Sequence, residues 1–329
     1  MTSDFTQLLD LAAERLGGTV LADNDEFFAP KENLLKPGRG VFIAGKYTDR
    51  GKWMDGWETR RRRTPGHDWC IVRLGLAGRI RGIDFDTNHF LGNFPEHASL
   101  EACEASADAT TEQLERAHWA LLVPRTRLAG GSQNLVPVDD VHRFTHVRLA
   151  IFPDGGVARL RVHGEVRPDL ARLRTVGLVD LAAVENGGVV QLCNDMFFGP
   201  KDNLILPGPS LNMGDGWETK RKRGPGHDWV IVQLGASGLV QRAEVDTAHF
   251  KGNFPDRCSL DGVFLAGEVA GDFLASRSIA WKEILPPTKL QADQRHTFDL
   301  QTSEPVTHVR LNIYPDGGIA RLRLWGTLK

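Results

Sequence analysis

The sequence predicts a mainly β protein, built as two tandem antiparallel β-sandwich domains with a few short helices. Three observations carry this expectation. First, a long stretch occurs twice. One copy reads Gly56-Trp57-Glu58-Thr59-Arg60-Arg61-Arg62-Arg63 and then Pro65-Gly66-His67-Asp68-Trp69, and the other reads Gly216-Trp217-Glu218-Thr219-Lys220-Arg221-Lys222-Arg223 and then Pro225-Gly226-His227-Asp228-Trp229. About 160 residues separate them, too long a period for a solenoid and the right length for a duplicated domain. Second, the other matching pieces alternate apolar and polar residues with period two. Third, these pieces are punctuated by turn signals, and helical patterns are few.

Taken in order, Phe5, Leu8, Leu9, Ala12 and Leu16 fall on one face of a helix capped by Ser3 or Asp4 and stopped by Gly17-Gly18. Residues 1–18 are thus expected to form an N-terminal helix packed on a first repeat of residues 19–166. Within that repeat, Asp25 to Leu34 matches Asp195 to Leu204, after which the first copy carries roughly ten extra residues around Phe42 to Trp53, an exposed excursion. His67 to Gly75 and His227 to Gly235 read as strands with Cys70, Val72 and Leu74 (Val230, Val232 and Leu234) on one apolar face. Ile83 and Phe85 point inward, as do Ala243 and Val245, while Asp84, Asp86, Glu244 and Asp246 point the other way. Each repeat ends in a hairpin, Thr145 to Gly164 or Thr307 to Gly326, around a Pro-Asp-Gly-Gly turn that supplies the glycines a tight reversal needs. There Val147, Leu149 and Ile151 face in, and His146 and Arg148 face out. Thr110 to His118 and Val179 to Glu185 read as short helices. The second of these falls at the end of a charged linker, residues 167–184, ahead of a second sandwich over residues 185–329.

Composition bounds the function. With 41% hydrophobic and 25% charged residues the chain is ordinary globular protein, and each half is long enough to hold its own core. A formal net charge of −2 recruits neither nucleic acid nor membrane, and no apolar run approaches the ~20 residues a bilayer demands. Cys70, Cys103, Cys193 and Cys258 form no CxxC pair, so neither a disulfide framework nor a structural zinc site fits. Met1-Thr2-Ser3-Asp4-Phe5 lacks the basic start and apolar stretch of a secretory signal. A reduced, cytoplasmic protein is expected.

The repeated Gly-Trp-Glu-Thr-(Arg/Lys)-Arg, Gly-His-Asp-Trp, Asp-Thr-x-His-Phe-x-Gly-Asn-Phe-Pro and (Tyr/Phe)-Pro-Asp-Gly-Gly-(Ile/Val)-Ala-Arg-Leu-Arg segments resemble the allantoicase family, over nearly the whole chain and in both copies. The resemblance implies jelly-roll domains of the galactose-binding (discoidin-like) type. It also implies hydrolysis of allantoate to ureidoglycolate and urea in purine (allantoin) degradation.

That chemistry needs a positive group to hold the carboxylate, an acid for the departing urea nitrogen and a base for water. Arginine suits the first task because its fork matches a carboxylate, and His, Asp or Glu of tuned pKa suits the others. The candidate catalytic residues are Asp86, His89 and Glu58 with their twins Asp246, His249 and Glu218. Asp86 to Pro95 begins where a strand ends, which places Asp86, His89 and Asn93 on a rim loop, where function concentrates. The plainer reading makes Asp86 a loop cap and Asn93 an Asx turn. The candidate substrate-binding residues are Arg61, Asn93 and His67 with Arg221, Asn253 and His227. Position 60 is Arg in one copy and Lys in the other, so the bidentate role is expected of Arg61 and Arg221. A basic run can also be a solvated face or a nucleic-acid contact, but no aromatics interleave it.

His67 and Asp68, as strand neighbours, point to opposite faces and make no dyad. His67, Asp86 and His89 are conceivable metal ligands, yet their spacing does not support a site, and no metal or cofactor is expected. His146 and His308 read as packing or surface salt-bridge residues. Between the copies, apolar positions have drifted (Cys70 to Val230, Ile83 to Ala243) while the polar set is intact, so both copies are expected to contribute, as two sites or one shared site. The rival readings are a tandem carbohydrate- or ligand-binding module and a purely structural protein; the missing disulfide framework and the doubly retained His and Asp weigh against them. The expected partner is a small molecule, with homo-oligomerisation possible.

Overall fold

The computed structural model describes residues 4–267, 269, 271–276, 278–300 and 302–329. Two compact units, Met1–Arg167 and Pro168–Lys329, divide the chain. Each is an antiparallel β-sandwich of the same design.

The organising element of the first unit is one strand, Asp68–Asp86, rather than two separate ones. Its first half pairs with Thr19–Asp23 on one side and Phe144–Phe152 on the other. The second half pairs with Arg159–Val166 and Leu135–Pro137. The strand therefore crosses from one layer to the other, and its run of Gly75, Gly78 and Gly82 allows the crossing. A Cβ at Gly78 would lie 2.3 Å from the Glu165 carbonyl oxygen, so no larger residue fits that approach. His97–Cys103 and Ala120–Arg127 extend the first layer beyond Phe144–Phe152. The second unit repeats the plan with Asp228–Asp246 as its crossing strand.

Cys70, Val72, Ile83, Phe85, Val147, Leu149 and Ile151 are fully buried, as the alternation requires. Burial of such side chains contributes about 1.5–3 kcal/mol each. Trp57 and Trp217 are also fully buried, and each gives its indole N–H to a backbone carbonyl, Asp25 at 2.9 Å and Asp195 at 2.8 Å.

Several expectations are corrected. Phe5 to Leu16 is not a helix: two short 3-10 turns, Phe5–Gln7 and Glu14–Leu16, flank the strand Leu9–Asp10, which pairs with Gly164 and His163. Pairing a sheet edge satisfied that segment's backbone better than a marginal isolated helix could. Val179 to Glu185 is likewise a strand, Val179–Asp180, followed by the 3-10 turn Val184–Asn186. The linker's helix lies earlier, at Leu170–Val176, capped by Asp169. The helix expected over Thr110 to His118 shrinks to Thr111–Glu115, started by a Thr110–Gln113 capping box.

His146 and His308 do not face solvent. They are 0% and 2% exposed, each with Nδ1 2.9 Å from the neighbouring threonine hydroxyl (Thr145 or Thr307). Asp84 and Asp86 do oppose Ile83 and Phe85, yet both are only 2% exposed, because loops cover that face of the sheet. The extra segment of the first copy is an exposed excursion with a small hairpin, Tyr47–Thr48 against Gly51–Lys52.

Candidate active-site loops

Four pieces of the first unit meet at one end of the sandwich around the hairpin turn. Trp57–Glu58 pairs with Gly156–Val157. Thr59 exchanges hydrogen bonds with Gly155, the Arg62 backbone N–H donates to the Asp154 carboxylate at 2.8 Å, and the His67 ring lies 4.8 Å from that of Phe152. The loop after the crossing strand joins them, since Gly156 N–H donates to the Asn93 carbonyl at 2.8 Å. Phe90, fully buried, wedges against Gly56 and Gly156, where a Cβ would come within 2.7 Å and 2.0 Å of its ring. Glycine at these two positions is what lets the loop close onto the strand.

This closure brings Glu58 and Asn93 together: the Asn93 amide donates to Glu58 Oε1. The second unit makes the same bond between Asn253 and Glu218. Glu58 is half-buried. Burial raises its pKa above the ordinary carboxylate value, and the Asn93 hydrogen bond opposes that rise only in part. A carboxylate whose proton affinity is raised by desolvation and which one donor orients is suited to accept a proton.

The basic run separates by parity. Arg60 pairs with Asp25 at 2.6 Å, and Arg62 with the buried Asp68 at 2.6 Å. Lys220–Asp195 at 3.4 Å and Lys222–Asp228 at 2.8 Å repeat this. Strand-like alternation turns Arg61 and Arg221 the other way; both are exposed and make no ion pair among the described residues. Asp68 and Asp228 are thereby anchors for the loop, helped by Asn24 and Asn194 at 3.1 and 2.8 Å.

Among the described residues Asp86 and His89 make no hydrogen bond to Glu58. Asp86 accepts a bidentate pair from Arg39 Nε and Nη2, both 2.8 Å, and caps the loop through Asn88 N–H at 2.9 Å. The Asn88 bond is the loop-cap role that the plainer reading gives Asp86. His89 packs against Phe42, ring centroids 5.8 Å apart, and His249 Nε2 lies 3.0 Å from the Ser210 carbonyl. Both histidines sit at positive φ, 68° and 71°. Glycine would adopt that conformation at less cost. His227 Nε2 lies 3.3 Å from the Asn312 amide oxygen, with its ring beside Tyr314. His67, Asp86 and His89 thus each have different partners, and among the described residues no group of three or more metal-ligating side chains is assembled.

Sequence reading missed Arg39 and the buried pair beneath it. Arg159 Nη2 donates to Asp55 at 2.7 Å, and Arg321 repeats this with Asp215 at 2.7 Å, all four nearly inaccessible. Only the repetition of Asp and Arg at matching places in both copies hinted at the second pair.

A half-buried carboxylate held by a carboxamide, with an exposed arginine nearby in the chain, built twice on β-sandwich rims, is an arrangement suited to a duplicated-sandwich enzyme that handles a small anion. Comparison with known proteins makes this specific. The allantoicase repeat model matches residues 9–167 and 179–329. A protein of Burkholderia pseudomallei described as probable allantoicase 2 is 52% identical over 322 residues, covering 97% of this chain and 95% of that one. A probable allantoicase of Ralstonia nicotianae is 48% identical, covering 99% and 97%. The crystal structure of Saccharomyces cerevisiae allantoicase superposes with a TM-score of 0.77 at 35% identity, covering 98% of this chain and 94% of that one. The chain belongs to the allantoicase family.

Proposed function

We infer that this chain hydrolyses allantoate to ureidoglycolate and urea, a step of purine degradation, at one site in each repeat. The bond broken joins the central carbon to one ureido nitrogen. The water oxygen bonds to that carbon, one water proton reaches the departing nitrogen, and urea leaves.

The observation that supports the assignment is the Glu–Asn pair, formed within each unit by the same residues. Glu58 and Glu218 take the water proton, with Asn93 and Asn253 orienting the carboxylate. Arg61 and Arg221, which make no ion pair among the described residues, hold the carboxylate of the substrate. His67 and His227, beside the same hairpin turn, return the proton to the leaving urea. His89 and His249 position the rim loop. The four cysteines are free and three are buried, which fits a reducing cytoplasm. No helix among the described residues is long and apolar enough to cross a membrane. The exposed Val41, Phe42, Ile43 and Tyr47 would suit a contact between copies.

The test is urea release from allantoate. Glu58→Gln and Glu218→Gln should each remove one site's contribution, and the double variant should fall about 10²–10⁴-fold. Wild-type rates in the folded double variant would exclude these carboxylates.

A further inference from the structure

The geometry points to a second kind of ligand site, present in the second repeat and closed in the first: a pocket for a small ureido carboxylic acid. It lies on the sheet face beside the end of the crossing strand and has a volume of about 280 Å³. Neither Glu218 nor Asn253 lines it.

Two substitutions between the repeats open it. In the first unit Arg39 reaches over the sheet and clamps Asp86 with both hydrogen bonds at 2.8 Å, and Gln133 donates to Asp84 at 2.7 Å. In the second unit Pro209 stands in place of Arg39 and cannot reach Asp246. Arg295 stands in place of Gln133, and its Nε stops 3.9 Å from Asp246. The space vacated by a guanidinium is left with ionic walls and one aromatic wall.

The walls are chemically mixed. Arg295 is well exposed. Arg323 places Nη2 on the Gly208 carbonyl at 3.1 Å and Nε 3.6 Å from Asp180, while its buried Nη1 has no hydrogen-bond partner among the described residues. Its counterpart Arg161 directs Nη1 to Asp10 at 3.4 Å. Arg323 lines the pocket, and a guanidinium donor left without a hydrogen-bond partner favours an acceptor brought beside it. Beside them in the sheet, Asp246 pairs in register with Arg321 and Arg295 and Glu244 with Arg323, so acceptor oxygens lie among the guanidinium groups, Glu244 already receiving the Trp325 indole N–H at 3.1 Å. A ligand satisfying both kinds of group needs a carboxylate for Arg295 and Arg323, and N–H donors for Asp246 and Glu244, within a planar body that can lie on Trp325. A ureido acid has these groups and fits the volume. An inorganic anion would satisfy only the arginines and meet two carboxylates. The choice of a ureido acid rests on the proposed activity; the pocket and its charges do not.

Titration calorimetry with hydantoate (N-carbamoylglycine) tests this, because the compound carries one ureido group and one carboxylate but cannot lose urea as allantoate does. Pro209→Arg rebuilds the first repeat's clamp and should weaken the pocket's binding at least tenfold. Arg295→Gln, the first repeat's own residue, should weaken it similarly without adding bulk, and serves if the arginine variant folds poorly. Both variants should still release urea from allantoate. Hydantoate binding unchanged in both variants, or absent from the wild-type chain at millimolar concentration, would overturn the pocket. Loss of urea release together with hydantoate binding would overturn its separation from the Glu218 site. A wild-type chain that binds hydantoate in this pocket yet releases no urea would instead sink the proposed hydrolysis and leave the pocket standing.

Discussion

The two repeats agree where the backbone must be held and where a carboxylate is oriented, and they disagree at the rim. Glu58–Asn93, Thr59–Gly155, Arg159–Asp55 and Arg62–Asp68 all have counterparts, the last with Lys for Arg. The disagreements are the excursion over Phe42 to Trp53, the Arg39–Asp86 clamp and the swap of Gln133 for Arg295. A shared feature that spans distant segments shows what the sandwich end needs in order to close. A feature made by one copy alone shows where that end is free to diverge. The excursion brings Arg50 over Phe27, at 5.0 Å, and Phe27 is 38% exposed; its counterpart Phe197 has no such cover and is 69% exposed.

The sharpest challenge to the shared class is Asp55→Ala. Burial disfavours the Asp55 carboxylate, but Arg159 and the Val41 N–H more than offset this and hold its pKa below the usual value. Removing it strands a guanidinium that is 3% exposed. The expected loss is about 3–5 kcal/mol, read from denaturant unfolding. If this variant lost under about 1 kcal/mol, the pair would be incidental rather than a requirement of the fold.

Asp180 offers a smaller effect of opposite sign. Burial pushes its carboxyl up to about 6 from a reference of 3.8, with Arg323 and the Leu324 and Ala182 N–H groups only partly countering. The folded state therefore favours the protonated form. That contribution to stability is complete below about pH 4 and is lost as pH rises through 6, up to about 3 kcal/mol in all. Asp180→Asn keeps an oxygen for the two N–H groups and should gain about 1–3 kcal/mol at pH 8, with little change at pH 4. Asp10→Asn, at the matching place but more exposed, is the comparison. The difference between the two pH slopes measures what deeper burial costs the second repeat.

How much of this was legible beforehand follows from the range of each interaction. Alternation over Val147, Leu149 and Ile151 is local, so the strands and their inward faces could be read directly. The N-terminal segment misled because Phe5, Leu8, Leu9, Ala12 and Leu16 do recur at helical spacing. The winning partner, Gly164 and His163, lies far along the chain, and Asp10 seals the choice by accepting the N–H groups of Ala12 and Val162. His146 was read outward because alternation says only which face a residue takes, not whether a further layer covers it. Glu58 and Asn93 were both named as candidates because both copies kept them, although their contact crosses 35 positions. Arg39 has no counterpart arginine, so comparing copies could not expose it.

The finest test of the pair the repeats share lies in the proton affinity of Glu58. Asn93 donates to the ionised form, so it lowers a pKa that burial raises. Asn93→Ala removes the lowering effect, and the Glu58 carboxyl should then bind its proton more tightly still. If Glu58 acts as base, the acid limb of kcat/KM for urea release must move to higher pH. The measurement requires the second site silenced by Glu218→Gln, so that one carboxylate is read at a time. A limb that stays in place while activity persists would assign the water proton to another group. A limb that moves down would mean that Asn93 had been supporting the neutral carboxyl rather than the ionised form.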